Sequence, residues 1–318
     1  MANENPKVYI LGSGFSASMG LPTLLNLFPS LMEHPNREGE EDKEQILYAL
    51  EVLYPHFRKE KSPPAYPPFE EFLSLIWSAR DLPFFDDDYW KFKWHSALRM
   101  LTDSLATKSS KAESSTLLQN FVQRLRGGDV VITYNWDNLI ERELLAQSKE
   151  VNFVSRSPNA VSVFKLHGSL NWAELPQNIE LKISEAAKHL DNRIICTHDF
   201  TYYDVWDVLD ISPLIVPPIF SKRVPVGEFF KNIWNEAHSS IIQSSHVTVI
   251  GYSLPNDDLQ ARSLLRMSWA GRGERLNDRL TLIDPNPQVV GKFAAMVTEK
   301  IDYHQEYFSA ETMDYLFD

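Results

Sequence analysis

Val8-Tyr9-Ile10-Leu11-Gly12-Ser13-Gly14-Phe15-Ser16-Ala17, running on to Gly20-Leu21-Pro22-Thr23, is the stretch from which the fold can be read. A short apolar run ends in two glycines one residue apart, and a small-residue segment able to open a helix follows. That order is the strand, turn and helix start of a nucleotide-binding crossover unit. Glycines let a backbone approach a pyrophosphate, and a helix N-terminus offers N–H groups and the positive end of a dipole. The spacing Gly12, Gly14, Ala17 also fits the G-x-G-x-x-A form of the dinucleotide fingerprint, a weak signal by itself.

Outward from this stretch the chain changes character twice. Beyond Thr23 comes an apolar segment over Leu24–Met32, then a charged stretch over Glu33–Lys43. Ile46, Leu47, Leu50, Leu53 and Tyr54 recur at helical spacing. Phe69, Phe72, Leu73 and Ile76 do so after the break at Pro63-Pro64-Ala65-Tyr66-Pro67-Pro68. Trp90, Trp94, Leu98, Leu101 and Leu105 mark a third amphipathic helix, and Leu117, Leu118, Phe121, Val122 and Leu125 a fourth, closed by Gly127-Gly128. Such stripes predict core-facing helices rather than ligand cages.

The α/β pattern then resumes with apolar strands at Asp129–Thr133, Val161–Leu166, His246–Ile250 and Leu280–Ile283. Short, continuously apolar strands separated by helical segments predict a parallel sheet covered on both faces. Polar residues stand at the carboxyl ends of these strands, where open α/β sheets bind ligands. They are Gly12 and Gly14, Asn135 and Asp137, His167, Gly251 and Ser253, and Asp284. Singly, each reads as a turn or cap residue; together they outline a site.

Composition narrows the chemistry. The 318 residues are 43% hydrophobic with a formal charge of −12, which argues against broad nucleic-acid binding. No apolar run reaches a membrane-spanning length, and the N-terminal residues do not read as a leader, so a cytoplasmic protein is expected. Cys196 is the only cysteine, which leaves no disulfide and no cysteine-based zinc site. No acidic strand end follows the glycines at the distance a dehydrogenase uses, and no Gly-Lys-Ser/Thr follows them as in a P-loop.

Gly12-Ser13-Gly14-Phe15-Ser16 with Gly20-Leu21-Pro22 resembles the first motif of the sirtuins and sirtuin-like proteins. Thr133-Tyr134-Asn135-Trp136-Asp137 resembles their Thr-x-Asn-x-Asp motif, Leu166-His167-Gly168 their catalytic His-Gly, and Gly251-Tyr252-Ser253-Leu254-Pro255 their late Gly-x-Ser loop. The resemblance implies a Rossmann-like parallel sheet with helices on both faces, and NAD as substrate rather than hydride carrier. It implies catalytic roles for Asn135, His167 and Asp137. It places Gly12, Ser13, Gly14, Phe15, Ser16, Thr133, Gly251, Ser253 and Asp284 on the dinucleotide, while the single cysteine sets the expectation of no metal ligand.

Two departures point away from acyl-lysine chemistry. The four-cysteine zinc module of the deacylases cannot be built, and Pro22 is followed by Thr23-Leu24-Leu25 instead of Asp-Phe-Arg. An all-helical insertion over about 31–127 takes the place of the zinc module. The nucleotide-binding core then occupies 6–30 and 128–318 of a single domain spanning 1–318. These departures resemble the bacterial sirtuin-like proteins that hydrolyse NAD in antiphage defence. The expectation is an NAD hydrolase releasing nicotinamide and ADP-ribose, homo-oligomeric and controlled by a partner such as a ring-shaped ATPase. The alternatives are a zinc-free deacylase or ADP-ribosyltransferase, and a non-catalytic NAD or ADP-ribose sensor.

Overall fold

In the computed structural model, the described residues are 6–33, 41–57, 65–79, 82, 87–112, 114–174, 187–189, 194–197, 213–217, 219, 227–273 and 280–317. The central part of the charged stretch and Pro63-Pro64 lie outside them. The opening segment forms strand β1 (Lys7–Leu11) and a five-residue helix α1 (Ser13–Ala17). Helices α2 (Leu24–Glu33), α3 (Glu41–Leu53), α4 (Phe69–Ala79), α5 (Asp87–Ala112) and α6 (Thr116–Arg124) follow. The chain then runs through β2 (Val130–Thr133), α7 (Leu139–Ala146), β3 (Val151–Asn152) and β4 (Val161–Lys165). Next come β5 (Gly168–Glu174), β6 (Ala187–His189), β7 (Ile194–Thr197) and β8 (Pro213–Ile215). The last part holds α8 (Glu228–Gln243), β9 (His246–Ile250), α9 (Leu259–Arg272), β10 (Leu280–Ile283), α10 (Gln288–Met296), β11 (Ile301–His304) and α11 (Ala310–Phe317).

Seven strands form one sheet in the order β11-β10-β9-β1-β2-β4-β3. Every pairing in it is parallel. The continuous apolar runs have their physical cause here, because β2 and β4 are buried along their whole length and β1, β9 and β10 nearly so. Tyr9 of β1 meets Phe121 of α6 and Phe317 of α11, with ring centroids 5.6 and 5.7 Å apart, so these helices cover one face. Helices α8 and α9 pack on each other, and α8 lies against β4. The order from β1 runs outward through β2 to β4, returns to β9 on the other side of β1, and continues to β11. The reversal between β1 and β9 is the topological switch point of a doubly wound, Rossmann-like sheet, where a crevice opens at the carboxyl ends of the strands.

Two features were not read from the sequence. A second, antiparallel sheet, β6-β7-β5-β8, branches off after His167. Strands β6, β7 and β8 are only three or four residues long, and the seven-residue β5 carries its short alternation, Ser169-Leu170-Asn171-Trp172, directly after the strand that ends at His167, with no turn signal to set it apart. The helices between β1 and β2 also divide between two apolar clusters. Leu118, Phe121 and Val122 of α6 belong to the core beneath the sheet. Leu27, Phe28 and Leu31 of α2 belong instead to a separate cluster with α3, α4 and α5. Amphipathic spacing identifies a buried face but not the partner it is buried against.

Candidate active site

A cleft of about 100 Å³ opens at the switch point. Its walls include Gly12, Ser13 and Ser16 from the first loop, Asn135, Trp136 and Asp137 after β2, and His167 after β4. Tyr252, Ser253 and Asp258 complete it from the loop after β9, and Leu21, Pro22, Leu24, Leu27 and Leu105 form an apolar side. Of the sequence-expected residues, Gly12, Ser13, Ser16, Asn135, Asp137, His167 and Ser253 meet here.

The polar half is a connected network. The Asn135 amide donates to the Gly12 carbonyl at 2.9 Å and to Ser16 Oγ at 3.0 Å. The Ser16 hydroxyl donates to Asp137 Oδ2 at 2.7 Å. Asp137 Oδ1 accepts the Leu139 N–H in an Asx-type turn at the start of α7, so this carboxylate holds the helix entry with one oxygen and Ser16 with the other. Thr133 stands behind the loop, its hydroxyl oxygen accepting the Asn135 N–H at 3.0 Å. Both loop carbonyls are held as well: the Trp136 carbonyl accepts the Leu170 N–H, and the Asp137 carbonyl accepts Lys165 Nζ.

Lys165 was not anticipated as part of the site. Its ammonium is fully buried and lies 2.9 Å from Glu141 of α7. Burial pushes the Glu141 carboxyl above its usual range, and the Lys165 charge opposes that rise. A lysine inside an apolar parallel strand was the available signal, since a buried charge demands a partner.

The glycines have a more mechanical role than the sequence suggests. A Cβ on Gly12 would stand 2.5 Å from the Gly251 carbonyl oxygen, and one on Gly14 would stand 2.7 Å from Gly251 Cα. Gly251 has φ +59°, and a Cβ there would meet Gly14 backbone at 2.5 Å. The Gly12 and Gly14 N–H groups donate to the carbonyls of Ile250 and Gly251. Two loops are thus locked backbone to backbone across the switch point, and those two N–H groups serve the protein itself. Gly168 is required for the same kind of reason: with φ +75°, a Cβ would overlap the Leu214 carbonyl as β5 turns back against β8.

Phe15 and Asp284 take other places. The Phe15 ring is buried against Phe121 and Phe308, with centroids 5.1 and 4.9 Å away, in the core and not on the cleft. Asp284 is nearly buried at the end of β10 and accepts the Asn286 N–H at 2.8 Å; burial raises its carboxyl above the ordinary value. Neither Phe15 nor Asp284 lines the cleft, and Gly14, Thr133 and Gly251 act from behind it.

His167 is nearly buried, and Nε2 lies 3.4 Å from Asp258 Oδ2. The Tyr134 ring meets the imidazole edge-on at 5.2 Å and stacks on Tyr252 at 4.4 Å. Burial, reinforced by the Asp258 charge, pushes both phenols well above their ordinary range, so they remain hydrogen-bond donors. Asp258 is the cleft residue that sequence reasoning missed; the pair Asp257-Asp258 before α9 was its trace.

None of the described lining residues is Lys or Arg. The cleft therefore presents carboxylates, an amide and an imidazole beside an apolar wall. That set can stabilise developing positive charge and accept a proton. Among the described residues no group of His, Cys, Asp or Glu is placed to hold a metal, and no helix is long and apolar enough to cross a membrane.

No family model matches the sequence, and no curated protein does. Among solved structures, a Sir2 homologue mutant in complex with ADP-ribose is similar at 17% identity, covering 99% of this chain and 91% of that one, with a TM-score of 0.45. A Sir2 structure with a p53 peptide and NAD+ is similar at 15% identity over 99% and 92% of the two chains, with a TM-score of 0.43. The strand order and the switch point define a Rossmann-like class of fold independently of these likenesses.

Proposed function

We propose that the protein is an NAD glycohydrolase, cleaving NAD to nicotinamide and ADP-ribose, and that it serves as a regulated, NAD-depleting effector of the antiphage kind. The observation that carries this reading is the convergence of Asn135, Asp137 and His167 in one cleft at the switch point. Cleaving the nicotinamide–ribose bond builds positive charge on the ribose, as in glycoside hydrolysis. A cleft with carboxylates and, among the described residues, no lining Lys or Arg stabilises that charge more in the transition state than in the ground state. Asn135 positions a ribose hydroxyl or the attacking water, Asp137 faces the developing cation or the carboxamide, and His167 takes the proton. Ser13, Ser16 and Ser253 serve the dinucleotide, with Gly12, Gly14, Thr133 and Gly251 shaping the loops that carry them. Homo-oligomerisation and an activating partner belong to this proposal, because unchecked NAD loss would harm the host cell. The apolar departures from the deacylase motifs, with the single cysteine, favour hydrolysis over acyl transfer.

Nicotinamide release from NAD by purified protein tests the reading, beside Asn135→Ala and His167→Ala, with and without cell extract. Turnover that falls by roughly 10²–10⁴-fold in each variant is expected. NAD binding without release in any condition would leave the sensor reading in its place. Release that requires an acylated peptide would establish the deacylase.

A further inference from the structure

Asp258 is only 3% exposed, and a carboxylate so placed needs its oxygens satisfied. They are divided between two tasks. Oδ1 accepts the Ala261 N–H at 3.2 Å and caps α9. Oδ2 lies 3.4 Å from the Tyr252 hydroxyl and 3.4 Å from His167 Nε2. The 14-residue helix behind Asp258 favours negative charge at its N-terminus. The Tyr134 ring meets the imidazole edge-on.

We propose that Asp258 is the positioning residue for His167, accepting its Nε2–H and thereby holding Nδ1 as the unprotonated nitrogen. The proposal rests on the hydrolase reading for its catalytic consequence. Water forms a bond to the ribose anomeric carbon as the carbon–nitrogen bond to nicotinamide breaks. That bond's electron pair leaves with the nicotinamide nitrogen, and the water proton passes to His167 Nδ1. The resulting imidazolium is stabilised by the Asp258 carboxylate, as the buried aspartate does for the histidine of a serine-protease triad. The 3.4 Å separation is loose, as catalytic hydrogen bonds are before substrate closes the site.

The test uses the full chain with ¹⁵N-labelled histidine, the His167 signal being assigned by its loss in His167→Gln. Imidazole nitrogen shifts of the neutral ring report the tautomer. The parent is expected as Nε2–H, and Asp258→Asn is expected to move toward Nδ1–H, since the amide presents a donor to Nε2. Asn also retains the helix cap, as does a second variant, Asp258→Ser, which removes the carboxylate. In nicotinamide release, kcat is expected to fall about 10²–10⁴-fold in both variants while KM stays within about threefold. An Nδ1–H parent, or one tautomer unchanged by Asp258→Asn, overturns the pairing; a kcat unchanged by both variants overturns its catalytic role. Absence of release from the parent overturns the hydrolase reading instead, and the tautomer then decides the pairing alone.

Discussion

The two walls of the cleft are built on different principles. The strand-end wall is held by backbone against backbone: Gly12 and Gly14 on one loop, Gly251 on the other, with no room for a single methyl between them. Its polar side chains are interlocked through Asn135, Ser16 and Asp137, and braced from below by Lys165 and Glu141. The opposite wall comes from the helical cluster, where Leu24 and Leu27 of α2 and Leu105 of α5 face the cleft. It is backed by exchangeable apolar volume, including Phe28, Phe72 and Trp90. Chemistry needs atoms fixed to fractions of an ångström, and hydrogen bonds and close backbone contacts supply that. An apolar wall sets shape and dryness, and side-chain packing tolerates adjustment there.

Substitutions on each wall should expose this difference. The largest loss is expected from Lys165→Met, which leaves Glu141 buried without its cation and costs about 3–5 kcal/mol in denaturant unfolding. Adding Glu141→Leu should recover most of that stability, yet leave the Asp137 carbonyl without its Lys165 donor and nicotinamide release still reduced. Full recovery of release in the double variant would show that the brace serves only folding.

Gly251→Ala comes next. A positive φ and a Cβ pressed on Gly14 together predict a loss of about 2–4 kcal/mol, read by the same unfolding curves. A near-neutral result would mean that the two loops separate readily and that the strand-end wall is softer than its contacts imply. Leu105→Met should be the mildest, within about 1.5 kcal/mol of the parent in stability. It should move KM for NAD by roughly threefold with kcat nearly constant, because it reshapes the wall without touching a polar group. A kcat collapse in this variant would place the helical wall in the chemistry itself.

Much of the strand-end wall was legible in the sequence. Apolar runs ending in Gly12, Asn135, His167 and Gly251 announced parallel strands and their carboxyl ends, since a sheet covered on both faces permits little else. Tertiary packing decides where a residue type allows two destinations. The resemblance placed Phe15 on the dinucleotide, and a short helix turns its ring into the core. Asp258 and Asp257 are adjacent acids before a helix, and only the folded chain chose which of them meets His167. The antiparallel sheet after His167 escaped because three of its strands span only three or four residues and the fourth, β5, follows β4 with no break that would mark a new element.

The sequence by itself determined the parallel α/β class, five strands of the main sheet and the polar residues that follow them along the chain, because burial on both faces and tight turns are local demands written in local patterns. Tertiary structure alone decided which ends meet. The reversal between β1 and β9 brings Gly12 to Gly251, Asn135 to Ser16 and His167 to Asp258, pairs separated by 239, 119 and 91 positions. Contacts over such distances arise from the packing of the whole sheet, and no local pattern encodes them.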